Sequence, residues 1–250
     1  MTEIVLNEKQ WVEEAIEKST LGDKPSETLR RLAMYYVSLG YKKNEVEKML
    51  EDFIIRCDPT SSVVRWQKYI DSSLKHAKKS SLIEIDPITI TKSEMDSISL
   101  LPGVLLQRIM FTLVCLAKYG NAINPKNNSW VNRDIREIFA LANVKVTVRK
   151  QALMFNDLWN LGYIGYSSIV DNINVNVKTV DEANSPIEMK VDDFRNLGNQ
   201  YMMHLGCDYF ACQNCGIVVK RNAPNQKYCK ECSVDINIQK TAENRLQRIA

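Results

Sequence analysis

Cys212-Gln213-Asn214-Cys215 and Cys229-Lys230-Glu231-Cys232 are the residues of this chain whose type and spacing most directly suggest chemistry. Two Cys-x2-Cys pairs, thirteen residues apart, match a four-thiolate site for one zinc ion. Each pair turns tightly enough to put both sulfurs on one metal, and the arm between them folds back to bring the second pair opposite. Four thiolates fill the tetrahedron and leave no position for water, so the expected zinc is structural and not catalytic. Two disulfides, or four unrelated thiols, are the competing readings. The start Met1-Thr2-Glu3-Ile4 is acidic and lacks an apolar signal core, which argues against disulfides and predicts a cytoplasmic protein. Cys207 and His204, just ahead of the first pair, are spare candidates that a complete set of four does not require. Cys57 and Cys115 fall in apolar patterns and read as small core residues.

Around these cysteines the elements follow from residue type. Gly216 suits a turn at positive φ, Ile217-Val218-Val219 reads as a short strand, and Asn222-Ala223-Pro224-Asn225 as a turn. A segment of this size cannot bury a core, so the metal must supply its folding energy, roughly 10–16 kcal/mol for structural zinc. Residues 207–236 resemble the small zinc ribbons, and the resemblance implies nucleic-acid, transcription or replication machinery. Lys220, Arg221 and Lys227 are then candidate nucleic-acid contacts. Residues 237–250 form a polar tail carrying Lys240, Arg245 and Arg248.

Composition sets broad limits. With 250 residues, 45% hydrophobic and 25% charged, the chain reads as globular, with two or three domains. No apolar run approaches the length of a membrane span. Net charge is +3, and it rises along the chain, from −2 over 1–99 to +2 over 100–200 and +3 over 201–250. That is the direction nucleic-acid binding predicts.

Residues 1–80 are expected to form a helical bundle. Trp11, Val12, Ala15 and Ile16 make a short amphipathic face. Ser26 and Asn44 are candidate N-caps for helices striped by Leu29, Leu32, Ala33, Tyr36 and Val37, and by Val46, Leu50, Phe53 and Ile54. Gly40 and Asp58-Pro59 end them. A third stripe is Val63, Trp66, Ile70, Leu74 and Ala77. From Leu29–Tyr36, Gly40, Val46–Phe53, Cys57-Asp58-Pro59 and Ile70–Lys79, the span of roughly 25–79, about a fifth of the chain, resembles the helical primase C-terminal module of the PriCT type. That resemblance implies work at a replication fork or origin of a phage or other mobile element.

Residues 81–99 read as an extended linker, on which Glu84 and Asp86 alternate, then a helix with a Thr91/Glu94 capping box. Over 100–181 the order is helix, helix, turn, helix, hairpin. The first helix, from Val104, has Leu105, Ile109, Leu113, Leu116 and Ala117 inside and Gly120-Asn121 at its end. The second is capped by Asn132, with Ile135, Ile138, Phe139 and Ala142 inside, and closed by Asn143. Thr147 caps the third, with Val148, Ala152, Phe155, Leu158 and Trp159 inside. The hairpin runs from Ile164 through a turn at Asp171-Asn172 to Thr179. This order resembles winged helix-turn-helix domains, which implies a third helix in the major groove.

The outward face of that helix offers Arg149 and Lys150 for phosphate or guanine, and Asn156 and Asn160 for adenine edges. Lys178 lies on the wing with Asn172, Asn174 and Asn176. Leu153 and Asp157 suit DNA poorly, and Leu153 is a candidate protein interface. Residues 182–206 are expected as a hinge, a strand over Ile187–Val191 added to the wing sheet, and a helix capped by Asp192-Asp193 that buries Phe194, Leu197 and Tyr201. The expected fold is thus mainly α and multi-domain: helical bundle, winged helix-turn-helix and a small four-cysteine zinc ribbon. The expected function is nucleic-acid binding, DNA first, in replication or transcription. The rival is an interaction protein whose winged helix and ribbon dock a host or self protein. No convergent carboxylates, Cys/Ser–His pair or phosphate loop suggests an enzyme.

Overall fold

The computed structural model describes residues 4–167, 174–181 and 185–249, with side chains to residue 242 in the last helix. It is mainly helical and divides into two compact units, one ending at Pro87 and the other beginning at Ile88.

The first unit packs four helices around one core: α1 (Glu8–Lys18), α2 (Pro25–Ser38), α3 (Lys43–Cys57) and α4 (Val63–Ala77). Val12 of α1 joins Leu29, Leu32, Leu50, Phe53, Ile70 and Leu74 in that core. The two expected N-caps both lie one step inside their helices. Pro25 starts α2 because its missing N–H costs nothing in the first turn, which leaves Ser26 helical. In α3 the Glu45 carboxylate accepts the Lys42 N–H at 2.7 Å, half of a capping box, and Asn44 falls within the first turn. Gly40 takes φ +89° at the end of α2, and Asp58 ends α3.

Residues 81–87, expected as a linker, run back along α1. Ile85 N–H donates to Leu6 O at 2.9 Å and Glu8 N–H to Ile83 O at 2.8 Å. The buried Glu8 carboxylate accepts from Ile83 N at 2.9 Å and from Arg31 Nε at 2.8 Å. Glu84 and Asp86 remain exposed. On α4, Trp66 is half-buried, donates Nε1–H to Ser61 Oγ at 2.8 Å and meets the Tyr69 ring at 5.7 Å. Because part of the ring already contacts water, Trp66→Ala is expected to cost about 2 kcal/mol, below the ~3–5 kcal/mol of a fully buried Trp. Chemical denaturation checks it, and a loss under about 0.5 kcal/mol would mean that the ring packs on nothing.

The second unit opens with β1 (Ile88–Thr91), α5 (Lys92–Ser99) and α6 (Val104–Ile123). It continues through β2 (Trp130–Val131), α7 (Ile135–Leu141), α8 (Val148–Asn160), β3 (Ile164–Tyr166) and β4 (Val175–Val177). It closes with β5 (Ile187–Val191), α9 (Leu197–His204), β6 (Tyr209–Ala211), β7 (Val218–Lys220) and α10 (Lys230–Ile249). α6 is its axis: Ile109, Phe111, Leu113, Val114 and Ala117 are fully buried, and α5, α7, α8 and α9 all pack on it. Leu105, expected inside, is exposed, and Leu106 is buried in its place. α6 also runs past Gly120-Asn121 to Ile123. Gly120 is there for close approach, since a Cβ would stand 2.6 Å from Asn127 Nδ2.

Asp134, not Asn132, caps α7, accepting the Arg136 N–H at 2.7 Å. Thr147 caps α8 as expected, accepting from Lys150 N at 3.4 Å. The buried stripe of α8 is Met154, Phe155 and Leu158, beside half-buried Gln151. Val148, Ala152 and Trp159, expected inside, are exposed, so the helix is rolled relative to the pattern.

β3 and β4 pair antiparallel, with Ile164 opposite Val177 and Tyr166 opposite Val175. The unforeseen β2 adds to β4, giving the order β2-β4-β3. The turn expected at Asp171-Asn172 lies outside the described residues. β5 does not join this sheet. It pairs with β1, Ile88 opposite Val191, where both residues are buried. Nor do Asp192-Asp193 cap α9: the Asp193 carboxylate is taken by Arg195, with Nη2 at 2.7 Å, and Asn196 at φ +52° precedes the helix. Phe194, Leu197 and Tyr201 are buried as expected. Gly198 sits inside α9 because a Cβ there would overlap the Ala142 carbonyl.

One buried ion pair ties this unit together. Glu94, the capping-box acid of α5, is fully buried and accepts Lys118 Nζ of α6 at 2.9 Å on both oxygens. It also accepts the N–H groups of Thr91 at 2.7 Å and Asp181 at 2.8 Å.

Candidate metal centre

The four cysteines converge. The sulfurs of Cys212, Cys215, Cys229 and Cys232 all lie within 4.8 Å of one another, and Cys215 and Cys229 are 3.8 Å apart. Four thiolates about 2.3 Å from one zinc-sized ion form a tetrahedron with edges of about 3.8 Å, so the set fits a single structural metal. Local sequence explains the convergence. β6 and β7 form a ribbon with Ala211 opposite Val218, and the first pair sits in the loop that joins them. Gly216 at φ +75° makes its turn. Cys229 immediately precedes α10 and Cys232 lies in its first turn, where the positive helix end favours a thiolate.

The surroundings are those of sulfur anions. Cys229 N–H points at Cys212 Sγ at 3.2 Å, Cys232 N–H at Cys229 Sγ at 3.5 Å, and Asn214 Nδ2 at Cys232 Sγ at 3.3 Å. Burial alone would hold the Cys212 thiol up, but N–H groups of Cys229, Cys215 and Asn214 overcome it and bring it down to about 6. Cys215 goes the other way: burial, with the neighbouring sulfurs, pushes it up to about 12. One negative sulfur is stabilised and further ionisation is opposed, the position that a divalent cation relieves by supplying the missing positive charge. Cys207 and His204 stand outside the set, and His204 Nε2 lies 3.6 Å from Glu188 Oε1.

The cysteine ribbon is braced against the helical core of its unit by residues that sequence reasoning missed. Arg108 of α6 is buried and donates to Ala142 O at 3.1 Å, Asn143 O at 2.8 Å and Asn199 Oδ1 at 3.1 Å. Burial lowers its pKa from the ordinary value. Asn199 passes the link on, donating Nδ2–H to Val218 O of β7 at 3.0 Å. Arg195 donates to Cys215 O at 2.6 Å. The only sequence signal was Gly198, an unfavourable residue in a helix unless something approaches closely.

The other predicted site residues are scattered. Arg149, Lys150, Leu153, Asn156, Asp157 and Asn160 share the exposed side of α8. Lys178 is exposed just after β4, and Lys220 and Lys227 are exposed on the ribbon. Arg221 differs. It is half-buried, with Nε on Asp208 Oδ1 at 3.0 Å, Nη1 on Gln226 O at 3.0 Å and the guanidinium 4.7 Å from the Phe210 ring centroid. Its Nε and Nη1 brace the ribbon, unlike the exposed Lys220 and Lys227. No helix among the described residues is long and apolar enough to cross a membrane. Comparison with protein-family models, curated proteins and solved structures gives no match for this chain.

Proposed function

We propose that this chain is a nucleic-acid-binding protein of replication or transcription, without catalytic activity of its own. In this reading residues 100–181 are a winged helix-turn-helix and residues 207–236 a four-cysteine ribbon holding zinc. The observation that carries it is the order α6, β2, α7, α8, β3, β4 with sheet order β2-β4-β3. There α8 packs on one side only and leaves Arg149, Lys150, Asn156 and Asn160 to solvent. A helix so displayed beside a hairpin suits a major groove, with the hairpin against the flanking backbone. Zinc is favoured because a single tetrahedral site with four sulfur ligands selects zinc or iron, and the ribbon's role is structural. DNA is the first expected target. The PriCT-type resemblance of the first unit favours replication, in a phage or other mobile element.

Protein docking is the second reading, and a specific observation favours it. Val148 (66% exposed), Leu153 (49%), Trp159 (49%) and Tyr166 (43%) give α8 and β3 an exposed apolar border. The test compares Arg149→Ala/Lys150→Ala with Leu153→Ala in a DNA-binding titration and a partner pull-down. The charge variant should weaken binding to every sequence and flatten the salt dependence by about 0.9 for each phosphate that the side chains no longer reach. Leu153→Ala, which removes neither a charge nor a hydrogen-bonding group from that face, should leave DNA binding within about twofold. The reverse pattern, with partner binding weakened by about 2 kcal/mol and DNA binding untouched, would establish docking instead.

A further inference from the structure

The solvent face of α4 is basic and uncompensated. Ile70, Ser73, Leu74 and Ala77 turn one side of the helix into the core. The opposite side presents Arg65, Lys68, Ser72 and Lys75, and Lys78 and Lys79 follow directly after the helix end; all are exposed. At 100° per residue the first four fall within an arc of about 80°. None of the five cations has a carboxylate within salt-bridge distance among the described residues. The nearest acid on the helix, Asp71, lies on the flank and accepts from Gln67, which also donates to Glu47 of α3. Tyr69, 48% exposed, stands beside the stripe.

This concentration of charge stands out because residues 1–99 are net negative. From these observations we infer that α4 is a nucleic-acid contact in its own right, binding the phosphodiester backbone through Arg65, Lys68, Lys75, Lys78 and Lys79. From Arg65 to Lys75 the helix covers about 15 Å. Duplex DNA carries one charge per ~1.7 Å of axis, so a stripe of that length meets several phosphates at once. The Tyr69 ring adds a face on which a base can stack. An anionic membrane fits less well, because an interfacial helix buries its apolar face in lipid, and the apolar face of α4 is already inside the core. The contact is independent of the α8 face.

The test uses the full chain carrying Arg65→Gln/Lys68→Gln/Lys75→Gln, beside the Arg149→Ala/Lys150→Ala variant. Binding to a labelled random-sequence duplex, to a single strand and to vesicles of anionic phospholipid is measured over a salt series, with circular dichroism to confirm folding. Against duplex, the α4 variant should bind more weakly, with log K against log salt shallower by about 0.9 per phosphate contact, about 2.7 if all three side chains make one. Weakening by the α4 variant alone supports this inference and removes the α8 reading. Unchanged binding in a folded α4 variant overturns the inference and leaves the α8 reading standing. An unaltered chain that binds neither nucleic acid at low salt overturns both. Vesicle binding that the α4 variant abolishes, with nucleic-acid binding unchanged, would make the stripe a membrane contact instead.

Discussion

Cys215→Ser and Cys229→Ser should each release the bound metal, whereas the unaltered chain purified without added metal should carry about one equivalent of zinc. The expected effect is large because the ribbon has little else to fold on: apart from Cys212, Cys229 and Cys232 it buries Phe210 and Val218, with Ile217, Val219 and Tyr228 half-buried against the cysteines. Binding energies of about 10–16 kcal/mol for such sites then count directly as folding energy. The loss should spread in one direction. Val218 O is held by Asn199, and Asn199 also receives Arg108, so α9 should loosen while α6 keeps its apolar core. Metal analysis with limited proteolysis checks both parts. Cleavage after chelation should begin between 207 and 236 and reach α9 before α6. Full zinc retention in both variants would remove the ligand assignment. Acidification should act in the same direction as chelation, since protons compete with metal for sulfur, and zinc should be lost as pH falls.

Lys118→Met is the second large effect. It leaves the fully buried Glu94 carboxylate facing only the Thr91 and Asp181 N–H groups. Removing one partner of a buried pair costs about 3–5 kcal/mol, because the remaining charge is left unneutralised away from water. The double variant Lys118→Met/Glu94→Gln should recover much of that loss, since the amide oxygen still accepts one N–H and no charge stays buried. Urea unfolding of the single and double variants measures the coupling. Additive losses in the double variant would mean that Lys118 contributes packing and not charge.

Several features are legible in the sequence because they are local. The four ligands follow from spacing, the αL glycine at 216 from its place after the first pair, and the Thr91/Glu94 box and Thr147 cap from residue type three positions ahead of an acceptor or donor. The expected α8 stripe is right at Phe155 and Leu158 and wrong at Val148, Ala152 and Trp159, which are apolar at helical spacing yet exposed, because periodicity alone cannot say which apolar side meets a neighbour. The fold settles it by burying Met154 with Phe155 and Leu158, the Phe155 ring stacked 5.9 Å from Phe139 of α7. Ser26 and Asn44 are good cap residues that lose to Pro25 and to Glu45 within one or two residues, the range over which local signals compete.

By itself, then, the sequence determined most of the helical segments (not α10, Lys230–Ile249, whose residues read as the end of the ribbon and a polar tail), which four side chains can share a metal, and where charge accumulates, since each depends on neighbours a few residues away. The tertiary structure alone decided what long-range pairing controls. β5 joins β1, distant in sequence, with Val191 opposite Ile88 and both buried. Glu94 meets Lys118, and Arg108 reaches Ala142, Asn143 and Asn199, partners far apart in sequence with no periodic signature. Whether a charged side chain stays exposed or braces the fold was decided the same way: Arg149 and Arg221 look alike in sequence, and only the fold puts Phe210, Asp208 and Gln226 around the second.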